Sequence, residues 1–311
     1  MLSPTTAEDR ISSDPSRLLV VVGPTASGKT ALAVRIAEAL GGEVVGADSV
    51  QIYRKFDIGA GKPTLEERRR VPHHLIDAVE PFEPMDAARW ATLAEESMAQ
   101  IRARGKVPVI CGGTFLWVRA FLFGLSPAPP ADEAVRTRHR AIAESEGRAA
   151  LHLKLSGVDP LTAGRLAPND FVRVSRALEV FELTGIPLSD WHAGHGFREP
   201  RHPARLVGIR RSAEELSQRI LERTEAMLDA GWVEEVRALL AAGYRDARAM
   251  KSVGYRQIVE ALDEGTVEEP LLRDRIVRAT RIFARRQRTW LRDQPVEWLT
   301  PEEAERFSSG V

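Results

Sequence analysis

The octapeptide Gly23-Pro24-Thr25-Ala26-Ser27-Gly28-Lys29-Thr30 constrains the fold of this chain more than any other feature. It fits the pattern GxxxxGK[ST], follows the apolar run Leu18–Val22, and precedes Leu32, Ala33, Ile36, Ala37 and Leu40 at helical spacing. Strand, glycine-rich turn and helix in that order build a phosphate cradle. The glycines let the backbone curl, successive N–H groups and the positive helix end face an anion, and Lys29 adds a point charge. Gly23, Thr25, Ala26, Ser27, Gly28, Lys29 and Thr30 are therefore phosphate-binding candidates, with the Thr30 hydroxyl placed to hold Mg²⁺. The motif leaves open which phosphate compound is bound and whether nucleotide hydrolysis follows.

The rest of the N-terminal half extends this unit into a sheet. Gly41 and Gly42 stop the first helix, and a second strand, 43–46, ends at Ala47-Asp48-Ser49, so the unit is βαβ and the sheet parallel. A helix over 86–104 leads to a third buried strand, 107–110, which runs into Gly112-Gly113-Thr114. Ligands bind such sheets at the carboxyl ends of strands, which brings the Gly23 loop, Asp48 and Thr114 to one edge. The fold class predicted is α/β, a P-loop NTPase-like parallel sheet flanked by helices, with a smaller helical insertion domain.

Pro127, Pro129 and Pro130 mark a boundary within 125–132, after which 136–150, 160–166 and 170–183 read as helices. A loop rich in Gly, Pro and His, 185–203, closes that block. A strand over 206–209 and helices over 213–230, 233–242, 255–264 and 271–291 follow. The expected organisation is a leader over 1–17, a catalytic core over 18–125 and 204–298, a helical insertion over 126–203, and a tail over 299–311.

Composition excludes several classes. A length of 311 residues suits about two domains. The 43% hydrophobic and 28% charged content is that of a globular chain, so disorder is confined to short segments. One cysteine, Cys111, rules out an internal disulfide framework and a thiolate zinc cluster, and favours a reducing, cytoplasmic setting. No apolar run approaches the roughly eighteen residues of a membrane helix. Lys and Arg number 44 and Asp and Glu 44, so the chain is no general polycation, yet 271–298 holds eight arginines against Asp274, Asp293 and Glu297. Three acids cannot pair eight arginines, and the surplus points to a polyanion.

Three features stay open at this level. The third strand ends in Gly112-Gly113-Thr114, where an NTPase often carries a metal-binding Asp, which leans away from ATP hydrolysis. Asp48 reads on position alone equally as a functional carboxylate or as a turn and cap residue. His73 with His74, and His192 with His195, lack companions at ligand spacing, and Cys111 has no evident partner base.

With these pieces in place the chain resembles the tRNA dimethylallyltransferases, or tRNA isopentenyltransferases, over about residues 18–298. The blocks that carry the resemblance are Gly-Pro-Thr-Ala-Ser-Gly-Lys-Thr (23–30), Ala-Asp-Ser-Val-Gln-Ile-Tyr-Arg (47–54), Asp-Ile-Gly-Ala-Gly-Lys-Pro-Thr (57–64) and Val-Pro-His-His-Leu-Ile-Asp (71–77). Gly-Gly-Thr (112–114), Arg-Ala-Leu-Glu-Val (176–180), Val-Gly-Tyr-Arg-Gln (253–257) and Arg-Gln-Arg-Thr-Trp (286–290) complete the set. Eight blocks in order are specific where a lone phosphate loop is not.

The resemblance implies transfer of a dimethylallyl group from dimethylallyl diphosphate to N6 of adenine 37, next to the anticodon. The P-loop then holds the donor diphosphate, with Arg219 or Arg223 assisting and Mg²⁺ as cofactor. Asp48 matches the general base, Thr114 sits beside the reacting amine, and Lys29 completes the catalytic set. Ser49, Val50 and Gln51 fall in the segment that contacts the target nucleotide. Arg136, Val172, Arg173, Val174, Ser175 and Arg176 in the insertion match tRNA-contacting stretches. So do Lys251, Gly254, Tyr255, Arg256 and Gln257, and Arg281, Arg285 and Arg288 near the C-terminus. The partners implied are the tRNA anticodon stem-loop and dimethylallyl diphosphate, with no membrane, and the chain is expected to act as a monomer. Phe115 and Trp117 depart from the family's usual Gly and Tyr, Val50 from its Met, and Ala60-Gly61 from a Thr-Ala pair. The zinc finger of some eukaryotic relatives is excluded by the single cysteine.

The chemistry asks for these groups. An adenine amine is a weak nucleophile that needs a carboxylate to take its proton. An allylic diphosphate leaves negative charge on its oxygens, which Lys29, loop amides, Mg²⁺ and arginine answer. Tyr255 or Trp290 could stack on an extruded base, although Trp290 also suits a core. Two other classes remain: a small-molecule or nucleoside kinase, and a noncatalytic RNA-binding protein.

Overall fold

The computed structural model describes residues 18–195 and 199–306; the expected leader, 1–17, lies outside them. Six parallel strands form one sheet: β1 (Leu18–Val22), β2 (Glu43–Gly46), β3 (His73–His74), β4 (Pro108–Gly112), β5 (Ala204–Ile209) and β6 (Val296–Leu299), in the order β3-β2-β4-β1-β5-β6. In β1, Val21 pairs with Cys111 of β4 on one side and Val207 of β5 on the other. All five β1 residues are buried, which is why the strand reads as a continuous apolar run. Helix α1 (Lys29–Ala39) sets Leu32, Ala33 and Ile36 against Leu19, Val21, Val109 and Val207.

Helices α2 (Leu65–Arg70), α3 (Ala87–Ala103) and α4 (Phe115–Phe123) follow the middle strands. Trp90 of α3 donates its indole N–H to the Gly46 carbonyl at 2.9 Å and stacks on Trp117 of α4 at 5.6 Å. A buried indole with a partner for its N–H pins the end of β2, the strand that delivers Asp48.

The described residues divide into two compact units, one within Met1–Leu122 and Arg201–Val311, the other within Phe123–Pro200. Within the second unit lie α5 (Glu133–Ser145), α6 (Arg148–Val158), α7 (Pro160–Ala163), α8 (Phe171–Thr184) and α9 (Leu188–His195). Their core is built on Leu151, Leu155, Val174, Ala177 and Leu178. The single helix expected over 136–150 is two, broken where Gly147 takes φ +87°. The segment expected as a loop over 185–203 contains α9, because the Pro187 carbonyl accepts the first helical N–H bonds and Asp159 accepts from the Ser189 N–H at 3.0 Å. Residues 196–198 of that segment fall outside the described ones.

The first unit resumes with α10 (Ala213–Asp229), α11 (Trp232–Ala241), a 3₁₀ turn (Arg248–Lys251), α12 (Tyr255–Glu264), the long α13 (Glu269–Leu291) and α14 (Pro301–Arg306). Its last strand was not foreseen. β6 pairs Leu299 with Ile209, so the stretch expected as a tail from 299 begins inside the sheet and continues into α14. Among the described residues no helix is long and apolar enough to cross a membrane.

Candidate active site

The P-loop leaves β1 and winds back into α1, with Gly28 at φ +94° in a conformation a side chain would strain. Ser27 is fully buried and its hydroxyl has no partner among the described residues, an orphaned donor inside an anion cradle. Two arginines one helical turn apart on α10 close the loop from above. Arg219 donates through Nε to the Ala26 carbonyl at 2.8 Å, and Arg223 reaches the Thr25 hydroxyl at 3.2 Å. Burial lowers the pKa of Lys29, with Cys111 and Asp48 opposing the shift and Arg223 adding to it. Burial likewise lowers that of Arg223, against the pull of Asp48. Two desolvated cations converge on the cradle, and an anion bound there would offset the cost of burying them.

Asp48 follows the last residues of β2. Its Oδ1 accepts from the Val50 N–H at 2.9 Å and the Gln51 N–H at 3.2 Å, which leaves Oδ2 without a hydrogen-bond partner among the described residues. Asp48 is thus a turn residue through Oδ1, while Oδ2 stays uncommitted. Thr114 follows β4, and its hydroxyl accepts from the Ser49 N–H at 3.0 Å, which keeps its own proton free to donate. Close approach of the two strand ends requires Gly112, where a Cβ would meet the Ala47 carbonyl at 2.0 Å.

These groups line one cavity of about 510 Å³, where Lys29 and Thr30 of the P-loop and Arg223 of α10 meet Asp48, Ser49, Val50, Gln51 and Thr114. Gln51 turns its amide N–H groups to the Ala60 and Gly61 carbonyls at 3.2 and 2.9 Å, which fixes the 57–61 loop as a further wall. Lys251, Arg256 and Arg286 stand at the same cavity.

Several candidates serve the scaffold of this site. Tyr255 is fully buried and its ring presents no open face for stacking; its hydroxyl donates to Glu235 at 2.5 Å. Glu235 of α11, which the sequence did not single out, also accepts from the Asp57 and Ile58 N–H groups at 3.0 and 2.7 Å, and so anchors the 57–61 loop. Gly254 has no room for a side chain because a Cβ would sit 1.9 Å from the Trp232 ring, and Gln257 folds back to accept from the Gly254 N–H at 2.7 Å. In the helical unit, Val174 and Ser175 are buried, Ser175 against His139 at 2.9 Å. Arg136 and Arg176 both bind the fully buried Glu179, at 2.9 and 2.6 Å. Burial raises the Glu179 pKa, and the hydrogen bonds from Arg136 and Arg176 outweigh it, leaving the carboxyl below its ordinary value. Val172 and Arg173 are exposed.

The arginine-rich segment sorts itself across α13. Arg273 pairs with Glu225 and Asp274, Arg275 with Glu260 and Glu264, and Arg292 with Asp293. Arg278, Arg281, Arg285, Arg286 and Arg288 are exposed and have no ion-pair partner among the described residues. Arg285, Arg288 and Arg292, with Arg210, Arg211 and Trp298, line a second cavity of about 490 Å³. Gln287, on the same helix, was also missed; it touches both the P-loop and Gly113.

A parallel sheet whose carboxyl edge brings a P-loop and the Asp48 carboxylate to one cavity, with Gly-Gly-Thr where an NTPase often carries a metal-binding Asp, defines an enzyme of the P-loop class that handles a phosphorylated substrate. The IPP transferase family model matches residues 51–294 and the isopentenyl transferase model residues 16–78. A tRNA dimethylallyltransferase of Sorangium cellulosum is 64% identical over 92% of this chain and 90% of its own, and one of Geobacter sulfurreducens 46% identical over 91% and 92%. Among solved structures, the tRNA isopentenylpyrophosphate transferase of Bacillus halodurans superposes with a TM-score of 0.65 at 35% identity over 94% of this chain and 98% of its own. A eukaryotic dimethylallyltransferase acting on tRNA gives a TM-score of 0.75 at 25% identity over 92% of this chain and 74% of its own. The chain belongs to the IPP transferase family.

Proposed function

We propose that this protein transfers a dimethylallyl group from dimethylallyl diphosphate to N6 of adenine 37 in tRNA. The observation that carries the proposal is the single cavity shared by Lys29, Thr30 and Arg223 with Asp48 and Thr114. The diphosphate rests on the P-loop amides, Lys29 and Arg223. The extruded base enters from the Asp48 side, its unstacking offset by contacts to the pocket and the RNA backbone. As the allylic C–O bond breaks, its electrons remain on diphosphate; as the N6–C bond forms, the N6 proton passes to Oδ2 of Asp48. Thr114 donates its hydroxyl proton toward the base and holds it in register.

Mg²⁺ suits this chemistry, and the Thr30 hydroxyl at the cavity would hold it together with the substrate's own oxygens. When bound it supplies neutralisation of the leaving diphosphate. The unpaired arginines of α13 and those of the second cavity provide a path for the RNA backbone. A cytoplasmic, monomeric enzyme, as the sequence suggests, goes with this reading.

Mass analysis of an anticodon stem-loop after incubation with enzyme, dimethylallyl diphosphate and Mg²⁺ tests it. The expected product gains one five-carbon unit on a single adenine. Phosphoryl transfer from ATP with no prenyl gain would make the chain a kinase.

A further inference from the structure

We infer that Gln287 is a positioning residue that sets the distance between the diphosphate cradle and the turn that handles the base. The inference rests on the prenyl-transfer reading and adds to it a residue outside both loops. Gln287 lies on α13, 9% exposed, between Arg286 at the reaction cavity and Arg288 at the second one. Its Oε1 accepts from the Thr25 N–H at 2.8 Å, and its Nε2 donates to the Gly113 carbonyl at 2.9 Å. One planar amide thus bridges the P-loop and the residue before Thr114. From Thr114 the chain of contacts continues through the Ser49 N–H to the turn of Asp48.

The requirement at this point is one acceptor and one donor in a fixed fork, which the Gln amide provides. Methionine of similar length removes both. Glutamate keeps the acceptor and turns an anion toward a carbonyl. Without the bridge a P-loop N–H and a buried-edge carbonyl lose their partners, and the leaving group and the base carboxylate are no longer tied to one rigid helix. A displacement of about 1 Å between reacting groups costs on the order of 10²-fold in rate. Because the same helix carries the unpaired arginines, RNA that settles on α13 registers against the element that spaces the two halves of the site.

The test compares Gln287→Met, Gln287→Glu, Gly113→Ala and the double variant Gln287→Met with Gly113→Ala. Gly113→Ala attacks the same bond from the other side, since its Cβ would stand 2.6 Å from Nε2 of Gln287. Single-turnover rates at saturating substrates, stem-loop affinity by anisotropy, inorganic diphosphate affinity by calorimetry and melting temperature are measured on the full chain. In Gln287→Met the rate is expected to fall by about tenfold to a hundredfold, with stem-loop affinity held and the variant still fully folded at the assay temperature, while Gln287→Glu falls further. Gly113→Ala is expected to match it, and the double variant to lose no more than the worse single one, the signature of a shared interaction. Rates within about twofold of wild type, losses that multiply, or losses that follow the unfolded fraction would each overturn the inference. Should Gln287→Met melt early, Gly113→Ala carries the same decision. A wild-type chain that prenylates nothing defeats the parent reading instead, and diphosphate affinity, expected to weaken in Gln287→Met, still reports on the bridge without RNA.

Discussion

Asp48 holds its turn through Oδ1 and leaves Oδ2 for the proposed proton transfer, and a substitution can separate the two. Asparagine keeps a carbonyl oxygen for the Val50 and Gln51 N–H groups, now 2.9 and 3.2 Å from Oδ1, and removes the base. Asp48→Asn is expected to slow single-turnover prenylation by about 10² to 10⁴ with stem-loop affinity and melting temperature unchanged; an unaltered rate would remove Asp48 from the reaction. Cys111 behaves oppositely. Burial pushes its thiol up to about 12, with Lys29 pulling it down and Asp48 pushing it up. Deprotonation is thus negligible at pH 8, and the folded protein is expected to resist iodoacetamide there while the urea-unfolded chain is alkylated. Alkylation of the folded protein at the unfolded rate would contradict the burial. The placement of Asp48 and Thr114 was legible because each lies just beyond a strand of recognisable pattern. Gln287 was not, because its P-loop partner lies 262 residues away and no local period marks a buried amide on a charged helix.

At the scale of the element, α13 shows what a charge count hides. The local surplus of arginine was correct, but Arg273 and Arg275 are neutralised by Glu225, Glu260 and Glu264 of α10 and α12, which no reading of the segment by itself could supply. What remains unpaired is concentrated at 278, 281, 285 and 288, whose spacing of three and four residues makes one stripe, with Arg286 beside it. Replacing Arg281, Arg285 and Arg288 together with Gln is expected to weaken stem-loop binding and to reduce the slope of log affinity against log salt by about 2 to 3. Calorimetric diphosphate affinity should be retained, since none of the three lines the reaction cavity. An unchanged salt slope would take the stripe out of the RNA interface. Three of the elements that escaped the sequence share a cause: β3 has two residues, β6 four, and α4 is apolar without a polar face, so none offers the periodicity from which an element is read.

At the scale of the whole molecule, the first unit is complete in two separated segments of chain. Its sheet takes four strands from before residue 122 and two from after 201, and every residue lining the reaction cavity belongs to it. The chain leaves and re-enters at one point, where the Arg201 N–H donates to the Leu122 carbonyl at 2.7 Å. Ends held by a hydrogen bond can be joined by a few residues without strain, because a short closure costs little entropy. Replacing 123–200 with a short Gly-Ser link is therefore expected to give a protein that melts cooperatively and binds inorganic diphosphate within about threefold of the full chain. The proposed RNA role of the insertion predicts a different outcome for the stem-loop. Its affinity should fall, with exposed Val172 and Arg173 removed along with the scaffold that buried Glu179 provides for Arg136 and Arg176. Calorimetry and anisotropy on the shortened protein separate the two halves of this argument. Lost diphosphate binding would mean that the cradle depends on the insertion, and undiminished stem-loop affinity would mean that the first unit alone grips the RNA.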